Sequence, residues 1–262
     1  MATLDQIDFR NMFTMLKGEP GTRKSSQALT YPKPQYWVST DLKMEALALP
    51  ARKFNINLKE VEYDNFHDWN KPQAKLESFR LNCKFKSIVV DSITSIGDNI
   101  NRQTLAIKNK DKDGYKIAGI PVNTMEDYKA ETSALQDLIG ILKDVAGYHH
   151  IQVILIAHVV GVRKQDPDNN LTNYSRIIVT GSEKMAVKIP AYCTEVYHFN
   201  PKPNPDPMKG PDYSIITSHT GNDFARTALE LPKTIEFNEK PLYDTWIKPA
   251  IIKMQPDFET RK

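Results

Sequence analysis

The chain has 262 residues, of which 40% are hydrophobic and 26% are charged, and its formal net charge at pH 7 is +3. This length predicts one large domain or two small ones, and because no stretch approaches the ~20 apolar residues of a transmembrane helix, we expect no membrane span. Cys83 and Cys193 lack the spacing of a disulfide framework or a thiolate zinc site, and the small positive charge permits contact with nucleic acid without requiring it.

Apolar runs alternate with longer polar or amphipathic stretches, which is the pattern of an α/β sheet. The predicted strands cover residues 13–17, 36–40, 56–63, 87–91, 152–157, 195–200 and 213–218. The runs SIVVD and QVILIA are almost wholly apolar, which predicts central parallel strands covered by helices on both faces. Apolar side chains at helical spacing over residues 126–147 predict the crossover helix between them.

Polar segments interrupt this alternation. Residues 101–124 and 161–180 are each too long and too polar for a routine connection, so we expect functional or mobile loops there. The proline-rich stretch 201–211 is incompatible with a central strand or helix and predicts a surface excursion within a hairpin. No segment has the composition of a linker. We therefore predict a single domain over residues 1–262, with a core at about 13–235 and a C-terminal extension at 236–262.

The strongest motif is MFTMLKGEPGTRKSS, where an apolar strand ends at Leu16, a glycine-rich turn follows, and a helix opens at Lys24. The backbone N–H groups of such a turn surround a β-phosphate, while the lysine reaches the β and γ oxygens and Ser25 offers a hydroxyl to Mg²⁺. The predicted nucleotide-binding residues are Gly18, Glu19, Pro20, Gly21, Thr22, Arg23, Lys24, Ser25 and Ser26. The segment departs from the pattern G-x-x-x-x-G-K-[ST], because Arg23 stands at the second glycine and its Cβ must be accommodated there.

A second motif, FKSIVVDSITS, ends a central strand with Asp91. The carboxyl end of such a strand lies beside the first βα loop, so this carboxylate is suited to hold Mg²⁺ and its water shell. The alternative is an aspartate that only caps its strand, and its position downstream of a phosphate-binding loop argues against that. We therefore predict Ser25 and Asp91 as the metal-binding residues.

Phosphoryl transfer to water also needs a residue that orients or deprotonates the water. Asp41, at the end of the strand YWVST, is the first candidate. His158 ends the strand QVILIA at the same edge, where a polar side chain is suited to sense a γ-phosphate and to couple it to the following loop. The alternative for His158 is a strand-end histidine held by local hydrogen bonds.

Together these motifs resemble the RecA superfamily of P-loop ATPases, and most closely the small phage-encoded RecA-like ATPases linked to single-strand annealing and recombination. The resemblance covers residues 13–235 and rests on GEPGTRKSS, YWVSTD, SIVVDSITS, ILIAH and VTGSEKMAVKIPAYCTEVYHF. It implies a central, mostly parallel twisted sheet flanked by helices, with an antiparallel C-terminal extension. It also implies ATP and Mg²⁺ as cofactors and ATP hydrolysis. Asp41 stands where the family has a catalytic glutamate, and His158 stands where RecA has a sensor glutamine.

The resemblance further assigns residues 161–180, and residues 111–124 as the first such loop, to contact with single-stranded DNA; the alternative is a solvated loop without a nucleic-acid role. The implied phosphate contacts are Arg163, Lys164, Arg176 and Lys184, and Tyr174 is the implied base-stacking residue. The acidic Asp166 and Asp168 oppose this role. Arg226, in HTGNDFARTALELP, is implied to approach a nucleotide, that of a neighbouring subunit included, as an arginine finger.

The implied partners are single-stranded DNA, further copies of the chain in a filament or ring, and a single-strand-binding protein, with no membrane. The N-terminal residues lack the pattern of a secretory signal, so we expect a cytoplasmic protein, in the host cytoplasm if the gene is a phage gene.

Four functions remain open on this evidence. The first is an ATPase that couples ATP occupancy to single-stranded DNA binding in phage-type recombination or annealing, and the second is a helicase-like motor of the RecA superfamily. The third is a nucleotide-gated DNA-binding protein without efficient turnover, which Arg23 and the short side chain of Asp41 favour. The fourth is a small-molecule kinase, which the long polar loop after His158 argues against.

Overall fold

The structure is a computed structural model that describes residues 8–107, 116–117, 120–122, 124–165, 172–181, 183–206, 208, 210–237 and 240–260. The strands are β1 (Phe13–Gly18), β2 (Gln35–Ser39), β3 (Val61–Asn65), β4 (Ser87–Asp91), β5 (Lys116–Ile117), β6 (Ile120–Pro121), β7 (Gln152–Gln165), β8 (Thr172–Ile178), β9 (Glu195–Lys202), β10 (Asp212–Ile216) and β11 (Thr234–Glu236). The helices are α1 (Lys24–Ala28), α2 (Ala48–Lys53), α3 (Asn70–Phe79), α4 (Ile93–Ile107), α5 (Met125–His149), α6 (Glu183–Tyr192) and α7 (Lys248–Met254), and α7 continues a π-helical turn at Tyr243–Ile247.

One nine-stranded sheet organises the chain, in the order β11-β10-β9-β1-β7-β4-β2-β3, with β8 paired to the outer part of β7. The strands from β9 to β3 run parallel to one another, whereas β10 and β11 add antiparallel strands beyond β9. The predicted fold class, a mostly parallel sheet with an antiparallel C-terminal extension, is therefore confirmed.

Both faces of the sheet are buried, because successive side chains of the central strands point to opposite faces. On one face, Met15, Val90 and Leu155 pack against α3, α4, α5 and α6. On the other face, Leu16, Val89 and Ile154 pack against α1, α2 and α7. Two-sided burial explains why SIVVD and QVILIA are continuously apolar rather than alternating.

The crossover helix predicted over residues 126–147 is α5. A capping box at its start explains the boundary, since Thr124 and Asp127 exchange side-chain and backbone hydrogen bonds. At its end, His150 adopts the left-handed conformation with φ 52° and closes the helix. Across the described residues, no helix is both long enough and apolar enough to span a membrane.

The strand predicted at residues 56–63 is displaced. The structure has a short 3-10 helix at Leu58–Glu60 and then β3, which runs on to Asn65. The side chain of Asn57 accepts a hydrogen bond from the N–H of Lys59, and this local cap favours a helical turn before the strand begins. As an edge strand, β3 also lacks the two-sided burial that defines the central strands in the sequence.

The two long polar segments carry more regular structure than the predicted loops. Helix α4 continues to Ile107, and β5 and β6 form a two-stranded ribbon, with residues 108–115, 118–119 and 123 outside the described part. In the second segment, β7 runs past His158 and pairs antiparallel with β8, from Val159 opposite Ile178 to Gln165 opposite Thr172. We call this pair the β7–β8 hairpin; residues 166–171 lie outside the described part. Hydrogen bonds between the two backbones hold the hairpin together. These strands therefore form without the apolar pattern from which the sequence prediction identified strands.

The close approach of β1 to β9 generates a prediction. A Cβ at Gly18 would lie 2.7 Å from the carbonyl oxygen of Phe199 and 2.9 Å from Thr22 Oγ1. We expect Gly18→Ala to lower the free energy of unfolding by about 1–3 kcal/mol, because this overpacking involves backbone that cannot rotate away. Urea titration measures the change.

Gly140→Ala is the matched control, because nothing lies within 4 Å of a Cβ at this position of α5. There we expect a gain of about 0.5–1 kcal/mol from the lower cost of ordering alanine in a helix. Equal effects of the two substitutions would contradict the described approach of β1 and β9.

Candidate nucleotide-binding site

The predicted phosphate-binding turn lies between β1 and α1. By sheet register, Gly18 stands beside His158 of β7 and beside Phe199 of β9. Gly21 has φ 79°, a left-handed conformation that glycine adopts without strain. The turn therefore opens at the carboxyl edge of the parallel strands, which is where ligands of such sheets bind.

Lys24 folds back into this turn. Its Nζ donates hydrogen bonds to the carbonyl oxygens of Gly18 at 2.8 Å and Glu19 at 2.7 Å, and lies 3.3 Å from Thr22 Oγ1. The side chain is buried, and burial lowers the pKa of Lys24 to about 8, while the charges of Asp91, Asp41 and Glu19 act in the opposite direction. The ammonium is held by neutral oxygens in a loop whose backbone geometry suits an anion.

Arg23, which stands at the second glycine of the motif, adopts the conformation that glycine would supply, with φ 67° and ψ 19°. Its guanidinium lies 4.1 Å from the ring centroid of Tyr213 in β10, within the range of a cation–π contact. The contact directs the side chain toward β10. Arg23 therefore adopts a left-handed backbone that its Cβ makes unfavourable, and the aromatic contact offsets part of this cost.

Asp91 ends β4, in register with Ser39 of β2 and Ile156 of β7. Burial raises the pKa of this carboxyl to about 6, a hydrogen bond from Ser25 and the charges of His158 and Lys24 lower it, and the neighbouring Asp41 raises it. The two predicted metal-binding residues, Ser25 and Asp91, therefore lie near each other. The peptide bond between Asp91 and Ser92 is cis.

Asp41 lies just beyond β2 and receives several donors. Its Oδ1 accepts hydrogen bonds from the hydroxyls of Ser92, at 3.0 Å, and Ser95, and its Oδ2 lies 3.4 Å from His158 Nε2. Burial raises the pKa of Asp41, but the hydrogen bonds from His158, Ser95 and Ser92 outweigh it and lower the pKa to about 2. The carboxylate is therefore ionised and fixed in orientation.

His158 connects this site to the hairpin. Its backbone N–H donates to Thr94 Oγ1 at 3.1 Å, and its ring faces Asp41. Ring nitrogen Nδ1 is buried without a hydrogen-bond partner among the described residues. Because β7 continues past His158 into the β7–β8 hairpin, this residue belongs both to the edge that holds Asp91 and Lys24 and to the hairpin.

The other predicted residues lie away from this edge. Arg163 and Lys184 are exposed, on the β7–β8 hairpin and at the start of α6. Arg176 points inward and forms a bidentate pair with Asp223, at 2.7 and 2.6 Å. The backbone of Lys164 and Tyr174 lies in the hairpin, where the two strands pair, but their side chains are not among those described.

Arg226 is exposed and pairs through its backbone with Val196 in β9, and its guanidinium donates to the carbonyl oxygens of Ala191 and Cys193 at the end of α6. Phe199, which is in register with Gly18, lies further along β9 than Val196. Arg226 is therefore bound at the end of α6 rather than at the turn of its own chain, and its role as an arginine finger stays a prediction.

Sequence reasoning missed several partners of the site. Ser92 and Ser95 hold Asp41, and Thr40 donates its hydroxyl to the carbonyl oxygens of Asp91 and Ser92, both at 3.1 Å. The spacing of hydroxyls in DSITS, directly after Asp91, was the available signal. Tyr213, in contrast, lies far along the chain, and no local pattern connects it with Arg23.

The contact between Arg23 and Tyr213 generates a prediction. Arg23→Gly removes a left-handed strain of roughly 1 kcal/mol together with a contact of about 0.5–1 kcal/mol, so we expect little net change in the free energy of unfolding. Tyr213→Ala removes the favourable contact together with the packing of the ring against Phe237 and the core, and is expected to be more destabilising. A double-mutant cycle by urea titration should give a coupling energy of about 0.5–1 kcal/mol.

Tyr213→Phe, which keeps the ring, is the control and should retain the coupling. A coupling energy of zero in the Arg23 and Tyr213 cycle would show that the two side chains act independently.

A family model described as an AAA domain matches residues 10–229. Among solved structures, the RadB recombinase is 15% identical with a TM-score of 0.50, over 88% of this chain and 89% of that chain. The flagellar accessory protein FlaH from Methanocaldococcus jannaschii is 14% identical with a TM-score of 0.50, over 87% of this chain and 85% of that chain.

At such identities the likeness to these structures shows the fold alone. A search of curated proteins found no match. The family model, in contrast, spans most of the chain and includes the turn, Asp41, Asp91 and His158. The chain therefore belongs to the AAA domain family and has the fold of the RecA-like P-loop ATPases.

Proposed function

We propose that this protein is an Mg²⁺-dependent ATPase that couples ATP occupancy to the binding of single-stranded DNA. The observation that carries the proposal is the convergence of Lys24, Ser25, Asp91 and Asp41 at one sheet edge with His158, whose strand continues directly into the β7–β8 hairpin. A nucleotide at this edge and a polymer at the hairpin would thus contact the same strand.

The residues of the turn fit a magnesium–nucleotide complex. The hydroxyl of Ser25 and the carboxylate of Asp91 are the hard oxygen ligands that Mg²⁺ prefers, and they lie near each other. The ammonium of Lys24 donates hydrogen bonds to backbone carbonyl oxygens. The phosphates of a bound nucleotide would replace these oxygens as its partners. When bound, the ion would neutralise charge on the phosphate oxygens.

Asp41 and His158 have separate roles in this proposal. A carboxylate with a pKa of about 2 is a weak base, so Asp41 is suited to orient a water molecule rather than to remove its proton. His158 lies between this carboxylate and the hairpin, where a change in the hydrogen bonds around Asp41 would reach β7. We assign His158 the role of sensor on this ground.

The DNA contacts proposed for this chain centre on the exposed hairpin. Arg163 and Lys184 are exposed cations suited to phosphate contact. Arg176 is engaged with Asp223 and Asn200, so we assign it to the support of the hairpin rather than to DNA. Lys164 and Tyr174 remain candidates for phosphate contact and base stacking.

We further propose that copies of the chain assemble in a filament or ring on single-stranded DNA, in phage-type recombination or annealing, with Arg226 directed at a neighbour's nucleotide. The exposed position of Arg226, which is bound at the end of α6 rather than at its own turn, supports this assignment. A single-strand-binding protein is the proposed protein partner.

A second candidate function is a nucleotide-gated DNA-binding protein that turns ATP over inefficiently. The specific observation in its favour is that both oxygens of Asp41 already face protein donors, which leaves fewer lone pairs for a water molecule. A helicase-like motor would share the same site and would differ by unwinding duplexes.

The first prediction concerns turnover. We expect the wild-type protein to hydrolyse ATP faster with single-stranded DNA than without it, and the stimulation to weaken as salt rises, because phosphate contacts release counterions. Lys24→Ala should abolish ATP hydrolysis, since it removes the ammonium that would contact the β and γ phosphates. A coupled assay of phosphate release measures both.

Lys59→Ala is the control. Lys59 is exposed and precedes the amino end of β3, whereas the turn lies at the carboxyl ends of the parallel strands. Normal turnover in folded Lys24→Ala would refute the nucleotide site. ATP binding without turnover, but with an effect on DNA affinity, would favour the gated binding protein, whereas ATP-driven duplex unwinding would favour the motor.

The second prediction concerns DNA. We expect Arg163→Ala to weaken binding of single-stranded DNA uniformly across sequences and to reduce the salt dependence by about one phosphate contact. Fluorescence anisotropy at several salt concentrations, in the presence of a non-hydrolysable ATP analogue, provides the measurement. Lys59→Ala should bind as the wild type does, and equal binding by the two variants would remove the hairpin from the proposed DNA surface.

A further inference from the structure

A group of charged and polar side chains lies beneath the β7–β8 hairpin, outside the nucleotide site. We call it the Lys17 cluster, and its members are Lys17 of β1, Arg176 of β8, His198 and Asn200 of β9, and Asp223. Lys17, His198 and Asp223 are 1%, 0% and 2% exposed. Burial of this much charge at the centre of a sheet is costly and calls for a physical reason.

Lys17 is the residue directly before Gly18, the first glycine of the phosphate-binding turn. By register it stands beside Ala157 of β7 and beside His198 of β9. Its side chain lies on the sheet face of Met15 rather than that of Leu16, because side chains alternate along the strand. The backbone of Lys17 is therefore directly continuous with the turn.

The ammonium of Lys17 reaches the hairpin. Its hydrogen bond, to the carbonyl oxygen of Arg176, is 3.4 Å long and is its only one among the described residues. Arg176 in turn binds Asp223 with two nitrogens and Asn200 Oδ1 at 3.2 Å, and its backbone N–H donates to the carbonyl oxygen of Asn222. One strand of the hairpin is thus tied to both β1 and β9 through a single residue.

The charges of the cluster do not balance. Lys17 and Arg176 are cations and Asp223 is the one carboxylate, while burial lowers the pKa of His198 well below its usual value and keeps the ring neutral. Neither ring nitrogen of His198 has a hydrogen-bond partner among the described residues, and Nε2 lies 3.7 Å from Asp223 Oδ1. Burial also lowers the pKa of Lys17 to about 8, opposed by Asp223 and assisted by Arg176.

Stability alone does not account for this lysine. Apolar side chains that replace buried charges are often neutral or stabilising, and an ammonium with one long hydrogen bond gains little in return for its desolvation. A methionine would fill the same space at lower cost. The feature that distinguishes Lys17 is its position, with the backbone next to the turn and the ammonium on the hairpin.

We propose that Lys17 is a positioning residue that couples occupancy of the phosphate-binding turn to the conformation of the β7–β8 hairpin, through its contact with the Arg176 backbone. The proposal rests on the proposed function in that it takes a nucleotide as the ligand of the turn, but it does not depend on DNA binding. Lys17 would be a second connection between the turn and the hairpin, in addition to His158.

The test is hydrogen exchange of the β8 amides at Thr172–Ile178, with and without a non-hydrolysable ATP analogue, in wild type and in Lys17→Met. We expect the analogue to change the exchange rates of the wild type by on the order of fivefold, the lower range of couplings between sites. In Lys17→Met the analogue should still bind, as isothermal calorimetry measures directly, but the change in β8 should be lost.

Lys33→Met is the matched control. Lys33 is also a lysine whose pKa burial lowers to about 8, but its ammonium caps the carbonyl oxygens of Leu29 and Tyr31, beyond the end of α1. This variant should keep the effect of the analogue on β8. A second test variant, Arg176→Lys, retains the charge of the cluster but loses the bidentate pair, and should also reduce the effect even if Lys17→Met folds poorly.

The outcomes separate the two proposals. If the analogue binds the wild type without changing β8, or changes β8 equally in Lys17→Met, the coupling role of Lys17 is refuted while nucleotide binding stands. If the analogue does not bind the wild type at all, the nucleotide site fails and the coupling fails with it. Loss of the effect in Lys33→Met as well would assign it to general destabilisation and would overturn the specific role.

Discussion

The parallel register of β1, β4 and β7 is the constraint on which the rest of the structure depends. Pairing of Gly18 with His158 and of Asp91 with Ile156 brings three chain segments to one edge of the sheet. In strands that are buried on both faces, packing shape sets the register, because a shift by one residue would exchange the side chains that face the two helical layers and disrupt close packing in both. The packing of the core therefore fixes the distances within the site.

This edge holds two carboxyl groups whose environments separate their acidities. Asp91 lies among few donors and has a pKa of about 6, whereas Asp41 receives hydroxyl and imidazole donors and has a pKa of about 2. The difference follows from burial, which is deeper at Asp91 and raises its pKa, and from the larger number of hydrogen bonds that Asp41 accepts, which lower its pKa. One group is suited to a metal ion, which would supply the missing positive charge, and the other is suited to hold a water molecule.

Buried cations are the second unusual feature of the molecule. Burial lowers the pKa of three lysines, Lys17, Lys24 and Lys33, to about 8. Lys17 directly precedes the phosphate-binding turn, and Lys24 begins the helix that follows it. Lys24 and Lys17 lie in or beside this turn, whereas the ammonium of Lys33 donates to carbonyl oxygens beyond the end of α1. Arg23 shows the opposite solution, since it places its charge against an aromatic ring rather than in the turn.

The sequence by itself determined the elements whose signals are local. A glycine-rich turn after an apolar strand identified the phosphate-binding site, two-sided apolar runs identified β4 and β7, and helical spacing identified α5. The sequence prediction failed at two places: it overlooked the local cap at Asn57, which displaces β3, and it did not predict the backbone pairing that makes a hairpin of a polar segment. Only the tertiary structure decided the partners of Asp41, the contact of Arg23 with Tyr213 and the composition of the Lys17 cluster. These contacts join residues that are far apart in the chain, and their geometry depends on the register of the strands beside them, which no short stretch of sequence encodes.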